Sequence, residues 1–201
     1  MGLTIPVILD SVNNLSDARY AAGMGVDLMS FEVEEGTERY VSPDLYKAIT
    51  SWLSGIKTVA SVSILNPSTM ATIQEFYQPD FIQFESIEGI SHHDLSAIAS
   101  IQKITLSPDN IQTIDTQIFE EASYVFLEAS DWNDWRTEHA NISRINNLQN
   151  ILWALPVEKE DVELIHSLNL KGIALKGGDE QRPGWKDLDQ LIDILEALEE
   201  N

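Results

Sequence analysis

Residues 7 to 31 read VILDSVNNLSDARYAAGMGVDLMSF, and this stretch decides the fold class. It covers two short apolar runs, IPVIL at 5–9 and VDLMSF at 26–31, with a segment of helical spacing at 16–25 between them. Both runs are nearly continuous in apolar character and lack the polar alternation of a half-exposed sheet. They therefore predict two parallel strands that are covered on both faces and joined by a helix.

The same alternation recurs to the end of the chain. Six further candidate strands are KTVASVS at 57–63, DFIQF at 80–84, KITL at 103–106, SYVFLE at 123–128, NILWA at 150–154 and KGIAL at 171–175. Candidate helices cover 42–55, 66–77, 158–169 and 186–200, with weaker ones at 93–99, 113–121 and 141–148. Units of roughly 25 residues predict a single α/β domain over residues 1–201, a TIM (β/α)8 barrel. A doubly wound open sheet is the alternative, since alternation does not show closure.

The net charge limits the partners. A formal charge of -21, from 33 acidic and 12 basic residues, repels nucleic acids and anionic lipids. No apolar run is long enough to span a membrane, and the first residues do not resemble a secretory leader. We therefore expect a cytoplasmic protein that binds neither nucleic acid nor membranes, and its oligomeric state stays open.

The residue types limit the chemistry. The chain has no cysteine, which excludes disulfides, thiolate metal sites and a thiol nucleophile. His92 and His93 are adjacent, so on a helix they point in different directions. With only His139 and His166 elsewhere, neither a metal site nor a cofactor is expected.

Two carboxylates stand at predicted strand ends, where α/β folds place their ligands. Asp10 follows the first strand and Glu128 ends the sixth. Such a pair divides the roles of general acid and general base when its surroundings separate the two pKa values. The alternatives are that Asp10 caps a turn or the following helix, and that Glu128 is one more acidic surface residue.

Basic and glycine residues follow two other strands. Arg39 is the only cation in EVEEGTERYVSP at 32–43, where it either holds a substrate carboxylate or neutralises the nearby glutamates. Lys176, Gly177 and Gly178 follow the eighth strand, where bare backbone amides suit a phosphate. A glycine pair used only for turning is the alternative. Trp132 and Trp135 either cover an aromatic ligand or pack a long loop.

With these positions identified, the chain resembles the phosphoribosylanthranilate isomerases, βα barrels of tryptophan biosynthesis that rearrange an aminoaldose to an aminoketose. The resemblance rests on 7–31, on TERYVSP at 37–43, on DFIQFE at 80–85, on FLEAS at 126–130 and on LKGGDEQRPGWKD at 175–187. The last stretch and the RYV triplet are the most specific.

The resemblance implies roles for individual residues. Asp10 falls where the family has its general-base cysteine, and Glu128 where it has its general-acid aspartate. Arg39 falls where the family holds the anthranilate carboxylate, and the glycine pair falls in a phosphate loop. The substrate-binding residues implied are Arg39, Gln83, Lys176, Gly177 and Gly178.

The chain also departs from the family pattern. SDWNDWRTEH at 130–139 and ALPV at 154–157 replace two glycine-rich loops. Ser11 replaces a glycine, and Glu85 replaces a histidine and adds negative charge. These changes lead us to expect weaker binding of the phosphate group.

Three functional interpretations follow. The first is a phosphoribosylanthranilate isomerase that uses Asp10 and Glu128. The second is a diverged barrel enzyme for another small phosphorylated or carboxylated substrate, its phosphate end remodelled by Arg136 or Arg182. The third is a barrel that has lost catalysis and acts in binding, which a pocket filled by Leu155 and Trp132 would favour.

Overall fold

Eight parallel strands close into a barrel in chain order, with β1 pairing with both β2 and β8. The strands are β1 Val7–Asp10, β2 Leu28–Glu32, β3 Lys57–Leu65, β4 Phe81–Ile87, β5 Ser100–Thr105, β6 Tyr124–Glu128, β7 Ile151–Ala154 and β8 Ile173–Lys176. The barrel predicted from the sequence is confirmed, and the open sheet is excluded. The computed structural model describes residues 2–91, 94–95, 98–107, 109–114, 122–129, 131–147, 150–177, 180–182, 185–186 and 189–199.

Helices follow most of the strands. They are α1 Leu15–Gly23, α2 Pro43–Thr50, α3 Pro67–Phe76, α4 His139–Asn146, α5 Val162–Ser167 and α6 Asp189–Ala197, with 3-10 turns at Trp135–Thr137 and Lys159–Asp161. The side chains of Asn14, Ser42 and Asn66 accept hydrogen bonds from backbone N–H groups in the first turns of α1, α2 and α3. Asn14, and not Asp10, therefore caps the first helix, so the alternative in which Asp10 caps this helix is wrong.

Three helix predictions need correction or fall at least partly outside the described residues. The last helix is predicted from the sequence to begin at residue 186, but α6 begins at Asp189. Trp185–Lys186 (β10) instead pairs with Glu180–Arg182 (β9) as an antiparallel ribbon. A Pro-Gly dipeptide separates the two strands in the sequence and is a common turn signal. Most of the predicted helix 113–121 lies outside the described residues, as do parts of 93–99.

The core has two layers. Side chains on the outer face of the strands pack against the helices. The inner layer takes one or two apolar residues from almost every strand, namely Ile8, Leu28, Val59, Ile101, Phe126, Leu152, Ala154 and Ala174, with Phe81 and Tyr124 against them. Because strand side chains alternate, the residue two positions further along each strand also points inward, toward the carboxyl ends of the strands. We call this end the barrel mouth.

Among the described residues, no helix is long and apolar enough to cross a membrane.

Gly172 allows the last strand to approach its neighbours, and this gives a test of the packing. A Cβ atom there would lie 2.9 Å from Leu152 Cδ2 and 3.2 Å from the backbone oxygens of Ile151 and Pro6. We expect Gly172→Ala to lower the free energy of unfolding by about 1–3 kcal/mol, which thermal melts report as a fall of about 2–4 °C per kcal/mol. Gly23→Ala is the control, because apart from its chain neighbours and the backbone of its own helix no described atom lies within 4 Å of a Cβ added there. Equal stability of both variants would contradict the close approach.

Candidate functional site

The barrel mouth is where the inner layer changes from apolar to polar. Seven inward residues follow the apolar layer there, each two positions after an apolar inward residue: Asp10, Ser30, Ser61, Gln83, Lys103, Glu128 and Lys176. Two cavities open among them, and Asp10 lines both. The mouth is therefore a polar, charged surface above a closed apolar interior.

Asp10 is a buried carboxyl group, with 5% of its surface exposed. Ser30 Oγ donates to its Oδ1 at 2.5 Å, and Ser11 Oγ lies 3.3 Å from its Oδ2. Burial raises the pKa of Asp10, and Glu128 acts in the same direction, while the Ser30 hydroxyl, Lys176 and Lys103 oppose the shift. Asp10 therefore ionises at a higher pH than an exposed aspartate and is a stronger base once ionised.

Ser11 has an unfavourable backbone conformation that allows it to form two hydrogen bonds at the mouth. Its φ is 56°, in the left-handed region that favours glycine. In this conformation its N–H donates to Ser30 Oγ at 2.9 Å, and its hydroxyl donates to Glu32 Oε1 at 2.8 Å. The strain, on the order of 1–3 kcal/mol, is offset by hydrogen bonds that hold Ser30 and Glu32 beside Asp10.

A chain of charges crosses the mouth. Lys103 Nζ lies 3.1 Å from Glu85 Oε1 and 3.9 Å from Glu128 Oε2, and Lys176 Nζ lies 3.7 Å from the same Glu128 oxygen. Burial by itself would lower the pKa of Lys103, but Glu85, Glu128 and Asp10 together raise it. Lys103 is therefore held as an ammonium ion and is not prepared to act as a nucleophile.

The larger cavity has a volume of about 350 Å³ and lies between β1, β6, β7, β8 and α6. We call it the apolar cavity, because its walls include Phe126, Leu155, Val157, Leu191 and Ile194. Its polar wall comes from Asp10, Lys176, Gly177 and Gln190. It suits a ligand with an apolar body and one polar end beside Asp10.

The smaller cavity, of about 160 Å³, lies on the side of β1 to β5. We call it the acidic cavity, because four carboxylates line it: Asp10, Glu32, Glu34 and Glu85. Lys103, Gln83, the serines 11, 61 and 63, and Val62 complete the lining. The two cavities thus present opposite chemistry on either side of one buried carboxyl group.

Solved structures of phosphoribosylanthranilate isomerases share this fold. The enzyme from Thermotoga maritima has a TM-score of 0.76 at 18% identity, and the match covers 96% of this chain and 98% of that chain. The enzyme from Thermus thermophilus has a TM-score of 0.75 at 17% identity, with the same coverage. The barrel is built like those of phosphoribosylanthranilate isomerases. At such identities the likeness establishes the fold.

One similar structure also carries a ligand. It is a phosphoribosylanthranilate isomerase in complex with reduced 1-(o-carboxyphenylamino)-1-deoxyribulose 5-phosphate, with a TM-score of 0.73 at 18% identity over 96% of this chain and 98% of that chain. Comparison of the sequence with protein-family models and with curated proteins gives no match.

The structure brings several sequence-predicted residues to the mouth. Asp10 and Gln83 are buried there, with 5% and 1% exposure, and Glu128 and Lys176 lie 3.7 Å apart. Gly177 lines the apolar cavity. A Cβ at Gly177 would lie 2.6 Å from Asp17 Oδ2, so close approach to this carboxylate explains the glycine better than turning does. Gly178 lies outside the described residues.

Other candidates lie elsewhere. Arg39 is half-buried in the loop after β2 and does not line either of the two cavities. Trp132 and Trp135 are buried in the outer core layer, so the indoles pack in the core and not on a surface loop. Arg136 donates to both oxygens of Asp161, each at 2.6 Å, and this fork makes it a structural residue. The side chain of Arg182 is outside the described part of the chain.

Sequence reasoning missed one of the two basic members of the charge chain, Lys103. The predicted strand KITL began at Lys103, whereas β5 begins three residues earlier, at Ser100. Counting in twos from the inward Ile101 would have placed Lys103 at the mouth. The same count from Leu28 reaches Ser30 and Glu32.

The buried Asp10 predicts how stability depends on pH. Its pKa is higher in the folded than in the unfolded chain, so the folded protein binds more protons between about pH 4 and the raised value. Stability contributed by Asp10 is therefore lost as the pH rises through this window. We expect Asp10→Asn to melt at a higher temperature than wild type at pH 7, with the gap narrowing toward pH 4.

Circular dichroism melts of both proteins between pH 4 and pH 8 measure this gap. Asp44→Asn, at an exposed position of α2, is the matched control and should show no such trend. If Asp10→Asn instead falls further below wild type in melting temperature as the pH rises, the ionic partners of Asp10 outweigh its burial.

Proposed function

We propose that the protein is a phosphoribosylanthranilate isomerase-like enzyme that performs an Amadori rearrangement with Asp10 as general base and Glu128 as general acid. The observation that carries the proposal is the placement of two carboxyl groups on the inner face of one barrel mouth, in different surroundings. Asp10 is buried among hydroxyl groups, whereas Glu128 lies within 4 Å of two lysine ammonium groups. Paired carboxyl groups in unlike surroundings suit divided acid and base roles.

The rearrangement asks two things of this pair. Glu128 gives a proton to the ring oxygen of an N-glycosylamine as the bond between that oxygen and C1′ breaks, which leaves a C1′–nitrogen iminium. Asp10 then takes the proton from C2′, and the electron pair of that C–H bond forms the enolamine, which tautomerises to the aminoketose. Burial strengthens Asp10 as a base.

The cations of the mouth support an anionic, phosphorylated substrate. Lys176 and Gly177 line the apolar cavity, and with Gly178 they are the proposed phosphate contacts. Arg39 and Gln83 complete the proposed substrate-binding set, with Arg39 on the anthranilate carboxylate. The role proposed for Arg39 rests on the resemblance in the RYV triplet. This role requires the loop after β2 to bring Arg39 to the ligand.

One observation favours the second interpretation, a diverged barrel acting on another substrate. In the turn after β7, Pro156 has no N–H, and the N–H of Val157 donates to Leu155 O at 2.8 Å. These two positions therefore offer no free amide to a phosphate. The cavity beside them is lined mainly by apolar side chains, which suits an apolar substituent in place of the phosphate.

Turnover of freshly generated phosphoribosylanthranilate, followed as loss of anthranilate fluorescence, tests the proposal. We expect wild type to exceed the buffer blank, and Asp10→Asn and Glu128→Gln each to lower kcat by about 10²–10⁴-fold, the typical contribution of a general acid or base. The KM should change little, because neither carboxyl group is proposed to hold the phosphate.

Glu75→Gln is the matched control, since it removes the same charge from an exposed position of α3. It should retain wild-type turnover. Activity at the level of the blank in folded wild type would sink the isomerase proposal and leave the diverged barrel and the binding barrel. An assay with N-glycosylamines that lack the phosphate then distinguishes these two.

A further inference from the structure

The acidic cavity is a second feature of the mouth, and it shares Asp10 and Gln83 with the proposed substrate site. Its carboxylates are Asp10, Glu32, Glu34 and Glu85, and among the described residues of its lining one cation, Lys103, faces them. The ammonium of Lys103 already lies 3.1 Å from Glu85 and 3.9 Å from Glu128. The cavity therefore keeps an excess of negative charge that its own lysine does not balance.

Gln83 is the independent sign of a missing ligand. Its side chain is 1% exposed and lines the cavity. Nε2 donates to Ser61 Oγ at 3.2 Å, while Oε1 is buried and accepts no hydrogen bond from any described residue. An unsatisfied buried carbonyl costs about 1–3 kcal/mol, so a donor placed in the cavity would remove this cost.

Two hydroxyl groups beside the acidic cavity, those of Ser11 and Ser30, donate their hydrogens to carboxylates. Ser11 Oγ donates to Glu32 Oε1 at 2.8 Å and lies 3.3 Å from Asp10 Oδ2. Ser30 Oγ donates to Asp10 Oδ1. Among the described residues, the free hydrogen-bonding capacity of the cavity is thus mainly that of acceptors, which suits a donor-rich, positively charged group.

We propose that the acidic cavity binds the protonated amine of a small organic ligand. An ammonium group has three donors and a positive charge, which match the Gln83 carbonyl and the nearby carboxylates. A metal ion fits less well, because no group of three or more His, Cys, Asp or Glu side chains among the described residues could hold one.

The joined cavities also specify the rest of the ligand. Asp10 lines both, so an amine held in the acidic cavity can extend its carbon chain or ring into the apolar cavity of about 350 Å³. The predicted ligand class is therefore an alkylamine or an arylalkylamine, whose nitrogen is protonated at neutral pH. This inference concerns binding, and it stands whether or not the rearrangement takes place.

Titration of the full-length, 15N-labelled protein with n-butylammonium, 1-butanol and butyrate at constant ionic strength tests the inference. The three probes share one carbon chain and differ in charge. We expect n-butylammonium to shift the amide resonances of β1 to β5 in a saturable way. The affinity for 1-butanol should be at least about tenfold lower, because a tenfold difference is a modest contribution for a charged hydrogen-bonded contact. Butyrate should not bind.

Two substitutions locate the site. Glu32→Gln keeps an acceptor for the Ser11 hydroxyl but removes a charge, and it should weaken n-butylammonium binding at least about tenfold. Glu75→Gln removes the same charge from exposed α3 and should change the affinity less than about twofold. If Glu32→Gln does not fold, the comparison of the three probes on wild type still tests whether the cavity prefers an ammonium group.

Three outcomes would overturn the inference. Equal affinity for 1-butanol and n-butylammonium would mean that only the apolar cavity binds. Preference for butyrate would mean that the Gln83 amide presents Nε2 to the cavity. An equal loss in Glu32→Gln and Glu75→Gln would mean that the cation responds to the overall charge of -21 and not to a site.

Discussion

A carboxyl group buried at the mouth of a closed apolar barrel is the constraint on which the site depends. The charged form of Asp10 is destabilised by burial, and the surrounding residues are arranged to offset that cost. Ser30 donates to it, and Ser11 takes a left-handed conformation that ties Ser30 and Glu32 to the same corner. A strained residue and a buried acid on one strand end are typical of a functional site.

The position of Asp10 between two cavities shapes the expected ligand. One side of the carboxyl group is apolar and the other is rich in acceptors and negative charge. A ligand that touches Asp10 from both sides must have an apolar part and a donor-rich part. Glu128, with Lys103 and Lys176, supplies the second carboxyl group and the cations that partly balance the mouth.

The departures from the isomerase pattern fall on both sides of the mouth. At the end of β7, Leu155, Pro156 and Val157 make a wall of the apolar cavity where the family has glycines. Within β4, Glu85 pairs with Lys103 at the position where the resemblance places a histidine. Both changes alter the surfaces that face a ligand and leave Asp10 and Glu128 at the mouth.

The amino-acid sequence by itself determined the alternation of strands and helices, and with it the placement of Asp10 and Glu128 at strand ends. Apolar runs and helix caps are local signals, so Asn14, Ser42 and Asn66 begin helices where the pattern predicts them. Only the tertiary structure decided closure, the register that turns Lys103 inward, and the two cavities around Asp10. Those features arise when all eight strands pair in a ring, because they depend on contacts between residues that are far apart in the chain.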